Sequence, residues 1–139
     1  MNFSQKMSKE FEMSMIGELS HFLGLQVSQT KAGLCISQTK YLKDMLKKYE
    51  MEDCAPMSTP MTTNWKLSKD DDFPLVDAIH YRSMLGALLY LTATRPDIMQ
   101  AVGMVGRFQS APKQSHLLAV KRILRYLKGT SDFGLWKYR

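Results

Sequence analysis

Four cations near the C-terminus have a spacing that could bind a polyanion. Within residues 115–129, Lys121, Arg125 and Lys128 recur at three- and four-residue steps, and Arg122 lies further round the same predicted helix. Residues at these steps share a helix face, so their side chains can contact successive phosphate groups. A basic helix face is also common as plain solvated surface, and the spacing alone does not decide between the two.

A second basic face is predicted earlier in the chain, where Lys40, Lys43 and Lys47 follow the same period. The chain has 19 Lys and Arg against 13 Asp and Glu, and this net charge of +6 favours an anionic partner such as nucleic acid. Its longest apolar run, residues 84–91, is far shorter than the roughly 20 residues that cross a bilayer, and no signal peptide pattern opens the sequence. We therefore expect an intracellular protein, in the cytoplasm or nucleus, with no membrane partner.

No pattern in the sequence indicates a metal site or a catalytic nucleophile. Three consecutive carboxylates, Asp70-Asp71-Asp72, stand in a stretch flanked by prolines, with no strand to orient them. Such a run is typical of a solvated charge cluster. Cys35 and Cys54 are separated from each other and from the three histidines by spacings that match no zinc or redox motif. We expect reduced thiols and no cofactor.

Hydrophobic periodicity predicts an α+β fold, with a β-hairpin followed by a mainly helical bundle and a short C-terminal strand. Alternating apolar residues on both sides of a turn at 30–33 predict the hairpin. Helical spacing predicts helices over 38–51, 77–93, 97–109 and 115–129. The tail over 133–136 looks like a short strand. Prolines and polar residues predict a long, mobile loop over 52–76.

The predicted helices have apolar faces that can bury one another as a small bundle. The inward residues expected in the last three helices include Tyr81, Met84, Leu85, Leu88, Leu89, Ile98, Val102, Val105, Leu117, Val120, Ile123, Leu124 and Leu127. The hairpin, with Leu23, Leu25 and Val27 on one side, is expected to lack partners, because a lone hairpin is marginal in water.

A series of motifs resembles the C-terminal part of the reverse transcriptase in copia-type LTR-retrotransposon Pol polyproteins. The motifs follow the family's order, with about its spacing, over residues 3–136. They are Gly17-Glu18-Leu19, Phe22-Leu23-Gly24-Leu25-Gln26-Val27, Gln38-Thr39-Lys40-Tyr41, Ser58-Thr59-Pro60-Met61, residues 81–91, Arg95-Pro96-Asp97-Ile98, Arg107-Phe108 and residues 116–130.

The resemblance implies a division of the chain. Residues 1–37 would be the end of the palm with a primer-grip-like hairpin, 38–51 a helix, 52–76 a loop, 77–130 a thumb-like helical bundle, and 131–139 the start of a connection toward a ribonuclease H domain. Phe22, Leu23 and Gly24 would press on the primer backbone. The two basic faces, Lys40/Lys43/Lys47 and Lys121/Arg122/Arg125/Lys128, would lie along an RNA–DNA hybrid or a duplex without sequence preference, because such contacts go to phosphate and sugar.

The family's catalytic aspartate pair lies upstream of the segment that this sequence resembles, and its ribonuclease H domain lies downstream. We therefore expect no polymerase activity from this chain alone, although the full family enzyme uses Mg²⁺. The missing palm and ribonuclease H domains of a parent polyprotein would be its partners. Two alternatives stay open: an inert product of a decayed retroelement copy, or a helical protein-interaction module, which uncovered apolar faces over 77–109 would favour.

Overall fold

The computed structural model describes residues 25–31, 33–62, 66–69 and 71–138. The fold is α+β, as the sequence predicts, with a small antiparallel sheet beside a helical body. The primer-grip-like residues Phe22, Leu23 and Gly24 lie outside the described residues.

The sheet has three strands in the order β1-β2-β3: β1 is Gln26–Thr30, β2 is Gly33–Ser37 and β3 is Leu135–Tyr138. Both neighbours of β2 are antiparallel to it, and Ile36 lies opposite Val27 on one side and Leu135 on the other. Gly33 ends the hairpin turn with a φ of 149°, which side chains other than glycine's rarely allow. The C-terminal strand therefore pairs with the edge of the hairpin, while Val27, on the side expected to lack partners, is 40% exposed; Leu23 lies outside the described residues.

The described residues also contain four α-helices: α1 is Thr39–Lys48, α2 is Ala78–Leu91, α3 is Met99–Gly106 and α4 is Gln114–Gly129. A 3₁₀ turn, Pro96–Ile98, precedes α3 where the sequence predicts continuous α-helix. All four are close to their predicted positions, but α1, α2 and α3 are shorter. None of the helices in the described ranges has the length and apolar character needed to cross a bilayer.

The early end of α1 has a clear local cause. Glu50 adopts the left-handed conformation, with a φ of 58°. Its amide donates to the carbonyl of Lys47, and the amide of Met51 donates to the carbonyl of Leu46 at 2.7 Å. This pair of bonds is a Schellman motif, which satisfies the last carbonyls of a helix and turns the chain away.

The core lies between α2, α3 and α4, and α1 packs against α4. Buried side chains recur at helical spacing: Leu42, Met45, Leu46, Tyr81, Met84, Leu85, Leu88, Leu91, Val102, Val105, Leu117, Val120, Ile123, Leu124 and Leu127. The prediction is wrong for Leu89, which is 55% exposed. Leu89 lies about 100° round the helix from Leu88, so it falls just off the buried face, while Leu91 falls on it.

Candidate nucleic-acid interface

Four lysines of α1 form an exposed basic surface, here called the α1 lysine surface: Lys40, Lys43, Lys47 and Lys48. They face outward because the opposite side of α1 is buried in the core. Asp44 lies among them, so the surface has three net positive charges, from four lysines and one aspartate.

The ammonium groups of this surface are largely available. Among the described residues, none accepts a hydrogen bond from the side chains of Lys40, Lys43 or Lys47. Lys48 Nζ lies 5.3 Å from the centre of the Tyr49 ring, a cation–π contact that leaves its three donors free. The sequence pattern predicts this face correctly as outward.

The cations of α4 are placed differently, because the loop that follows α1 crosses them. Arg125 Nε donates to the carbonyl of Ala55 at 2.7 Å, and Lys128 Nζ donates to the carbonyl of Cys54 at 2.6 Å. Arg122 Nη2 donates to Thr59 Oγ1 at 2.8 Å. Lys121, half-buried, makes no hydrogen bond or ion pair with the described residues.

Residues 54–59, here called the strap, are therefore held against α4. The amide of Met57 also donates to the carbonyl of Arg125 at 3.3 Å. A Cβ at Gly129 would lie 2.9 Å from the side chain of Pro56, so glycine permits the close approach. The strap occupies donors that a nucleic-acid phosphate would otherwise use, which leaves the α1 lysine surface as the more accessible of the two predicted faces.

The later part of the loop is anchored at the other end of α4. Val76 N donates to the carbonyl of Pro112 and Gln114 N to that of Pro74, both at 2.9 Å. His116 is fully buried and stacks on Phe108 with ring centres 3.9 Å apart. Residues 74–76 are therefore held against the helical body, whereas the sequence pattern predicts a mobile loop over 52–76.

Asp71, in the predicted charge cluster, helps to make this anchor. Its carboxylate accepts hydrogen bonds from the Ser115 hydroxyl and from the amide of Phe73, and lies 3.7 Å from Lys113 Nζ. The hydrogen bond from Ser115 is the main reason that the pKa of Asp71 lies below its ordinary value. The interpretation as a solvated cluster is wrong for Asp71, although Asp72 is exposed; Asp70 lies outside the described residues.

The acidic residues of the described ranges do not suit the Mg²⁺ of the family enzyme. No group of three or more His, Cys, Asp or Glu in those ranges could hold a metal ion. Asp71 is already paired with a cation and with two hydrogen-bond donors. Cys35 and Cys54 are both free thiols.

The motif Arg95-Pro96-Asp97 forms a polar cluster around the buried guanidinium of Arg95, while Pro96 and Asp97 are exposed. The guanidinium of Arg95, 4% exposed, makes a bidentate contact with Asp97 at 3.1 and 2.9 Å. Arg95 also donates to the carbonyl of Thr130 at 2.9 Å, and Tyr126 donates to Asp97. Burial would raise the pKa of Asp97, but the hydrogen bonds from Arg95 and Tyr126 outweigh it and hold that pKa below its ordinary value.

Sequence reasoning missed one buried polar pair. Gln38, 3% exposed, donates from Nε2 to the carbonyl of Tyr90 at 3.2 Å and accepts from Thr94 Oγ1 at 2.6 Å. This pair connects the start of α1 to the end of α2. Its only signal in the sequence is a polar residue directly before a predicted helix, and that position does not reveal a partner 56 residues away.

Comparison with known proteins gives consistent results along the chain. A family model described as "Reverse transcriptase (RNA-dependent DNA polymerase)" matches residues 1–63. The Retrovirus-related Pol polyprotein from transposon RE1 of Arabidopsis thaliana is 39% identical over 97% of the chain, which corresponds to 9% of that protein. The Pol polyprotein from transposon TNT 1-94 of Nicotiana tabacum is 38% identical over 90% of the chain, or 10% of that protein.

A shorter relative also matches. An uncharacterized mitochondrial protein of Arabidopsis thaliana is 40% identical over 96% of the chain, which corresponds to 55% of that protein. The chain thus spans about a tenth of the length of the Pol polyproteins and about half of this shorter relative. No solved structure matches the chain significantly.

Proposed function

The chain belongs with the reverse transcriptase-like segments of retrotransposon Pol polyproteins, and on that premise we propose that it grips a template–primer duplex without sequence preference. The α1 lysine surface would contact the phosphates of an RNA–DNA hybrid or a nucleic-acid duplex. Palm and ribonuclease H domains of a parent polyprotein would supply the catalytic groups beside it.

The exposure of the α1 lysine surface carries this proposal. Its ammonium groups face outward, whereas three of the four α4 cations donate to the strap. Free ammonium groups on one helix face can displace the counterions condensed on a duplex, and this release gives salt-dependent binding without base recognition.

Salt-dependent binding to a labelled RNA–DNA hybrid, followed by fluorescence anisotropy, tests the proposal. Replacing Lys40, Lys43 and Lys47 together by Gln should flatten the log–log salt slope by about two to three units, at about 0.7–0.9 per lost phosphate contact. A hybrid of scrambled sequence should bind the unaltered chain equally well, since phosphates carry no sequence information.

The matched control removes three charges from α4 by the changes Lys121→Gln, Arg125→Gln and Lys128→Gln. We expect it to change the slope by less than about one unit. The reverse result would transfer the role to the α4 face. No salt-dependent binding by the unaltered chain would reject the proposal and favour an inert product of a decayed retroelement copy.

The alternative of a helical interaction module depends on uncovered apolar faces over residues 77–109. The inward faces of α2 and α3 are instead buried within the chain, including Tyr81, Leu88, Val102 and Val105. The large apolar residues of this range that remain exposed are Ile79, Leu89 and Met99.

A further inference from the structure

A cavity of about 200 Å³ opens between α1 and α2, directly beside the α1 lysine surface. It is lined by Tyr41, Asp44, Met45, Lys48, Tyr49, Ser83 and Ala87. The hydroxyls of Tyr49 and Ser83 are 2.5 Å apart and join the two helices at its edge. The Tyr41 ring packs against the Tyr90 ring, with ring centres 4.7 Å apart.

The size of the cavity limits its ligand. Sites for drug-sized molecules are typically about 300–1000 Å³, so this cavity suits one ring system rather than a whole nucleotide. Its lining is partly aromatic, and aromatic side chains in proteins that bind single strands stack on nucleobases of any sequence.

The charges around the cavity favour a nucleobase over a phosphate as its ligand. The carboxylate of Asp44 offers hydrogen-bond acceptors, so it repels a phosphate and can accept from the N–H groups of a base edge. Lys48 belongs both to the cavity lining and to the α1 lysine surface. A strand whose phosphates lie on the lysines therefore has its bases close to the cavity.

We propose that the cavity between α1 and α2 binds a single unpaired nucleobase of the strand whose backbone lies on the α1 lysine surface. This proposal rests on the proposed nucleic-acid binding and adds a second type of contact to it. Paired bases would not enter, because their edges and faces are occupied within the duplex; an overhanging or extruded base would.

Two hybrids of equal charge test this site. One carries a single unpaired nucleotide at its end, and the other carries an abasic residue at the same position. The hybrid with the base should bind the unaltered chain about five- to tenfold more tightly, within the range that stacking of one base contributes. Equal affinities, with the salt slope intact, would overturn the base site and leave the proposed gripping function standing.

A substitution that fills the cavity provides a second test of the site. Ala87→Leu places a larger side chain in the cavity and should remove the preference for the hybrid with the base, without changing affinity for the abasic hybrid. Ala111→Leu, at an exposed turn outside the cavity, is the matched control and should keep the preference. Loss of the preference in both variants would contradict the assignment to this cavity.

Binding of a nucleoside, which carries no phosphate, tests the cavity independently of the α1 lysine surface. In saturation-transfer NMR, guanosine should receive magnetisation from the unaltered chain and from the Ala111→Leu variant, but not from the Ala87→Leu variant. Transfer of equal strength to all three would place the nucleoside elsewhere and overturn the proposal. Binding of the nucleoside in the cavity by a chain that shows no salt-dependent affinity for hybrids would reject the gripping function alone.

Discussion

At the scale of single residues, the ion pair between the buried Arg95 and the exposed Asp97 shows how a charged motif can stabilise the fold. A guanidinium taken out of water is stable only when it is paired and hydrogen-bonded. Arg95 meets this condition through Asp97 and Thr130, and it also lies 5.6 and 5.3 Å from the rings of Tyr126 and Phe133. The motif therefore joins the α2–α3 corner to the end of α4 and to the segment that precedes β3.

This pair makes stability depend on pH in a defined direction. Because the pKa of Asp97 is lower in the folded chain, its contribution is complete above the unfolded value, about 3.9, and is lost as pH falls through the folded pKa. Asp97→Asn removes this titration and weakens the contact with Arg95. Because Asp97 is 36% exposed and solvent screens its contact with Arg95, the variant should be less stable by about 1 kcal/mol at pH 7, and the difference should shrink toward pH 2.

Urea unfolding of the two chains between pH 2 and pH 7 measures that difference. Asp132→Asn is the control, since Asp132 is exposed and makes no hydrogen bond within the described ranges. It should follow the unaltered chain to within about 0.5 kcal/mol. If the free energies of unfolding of Asp97→Asn and of the unaltered chain differ by the same amount at every pH, the pair contributes no pH-dependent stability.

At the scale of elements, β3 makes the hairpin part of a three-stranded sheet. Alternation in the sequence predicts the two hairpin strands, but the pairing of β2 with β3 places a strand of the hairpin at the centre of a sheet. Gly134 makes the approach possible, because a Cβ there would lie 2.6 Å from the carbonyl oxygen of Ile36 and 3.1 Å from Cys35 Sγ. A backbone atom at that distance cannot be avoided by a side-chain rotation.

Gly134→Ala should therefore separate β3 from β2. We expect faster amide hydrogen exchange in β2 and β3, with protection in α2 and α4 unchanged, because strands can open locally without unfolding the helical body. Gly103→Ala is the matched control, since a Cβ there meets nothing within 4 Å. In the middle of α3 it should stabilise the chain by about 0.5–1 kcal/mol. Unchanged exchange in the strands of Gly134→Ala would show that the sheet adjusts without loss.

At the scale of the whole molecule, the helical body has its own core, and its proposed role is positional. Its apolar faces are buried against each other rather than left for a separate domain. The chain corresponds to 9–10% of the length of the Pol polyproteins that it matches. The catalytic motifs expected for the family are not present among its 139 residues.

The chain should accordingly not extend a primer. Polymerisation needs carboxylates that hold metal ions on the attacking and leaving oxygens, and no aspartate pair in an aromatic hairpin occurs in the sequence. A primed RNA template with nucleotides and Mg²⁺ should give no product above a control without protein, as judged by gel electrophoresis. Extension that is lost on heating the chain would contradict this expectation.

The sequence by itself determined the local features of this protein. Helical periodicity located four helices and nearly all of their buried faces, because the residues that define a face lie within one or two turns of one another. The order of motifs also indicated the family, which the comparisons confirm. Leu89 was misplaced because it lies at the border of its helix face, where a small rotation decides burial.

Only the tertiary structure decided which of the predicted features meet. Arg122, Arg125 and Lys128 have the same helical spacing as the lysines of α1, yet they donate to acceptors 63, 70 and 74 residues away in the chain. The pairing of β3 with β2 likewise joins the two ends of the described chain. Spacing along a sequence places side chains on a face, but the partner of that face depends on where the rest of the chain returns in space.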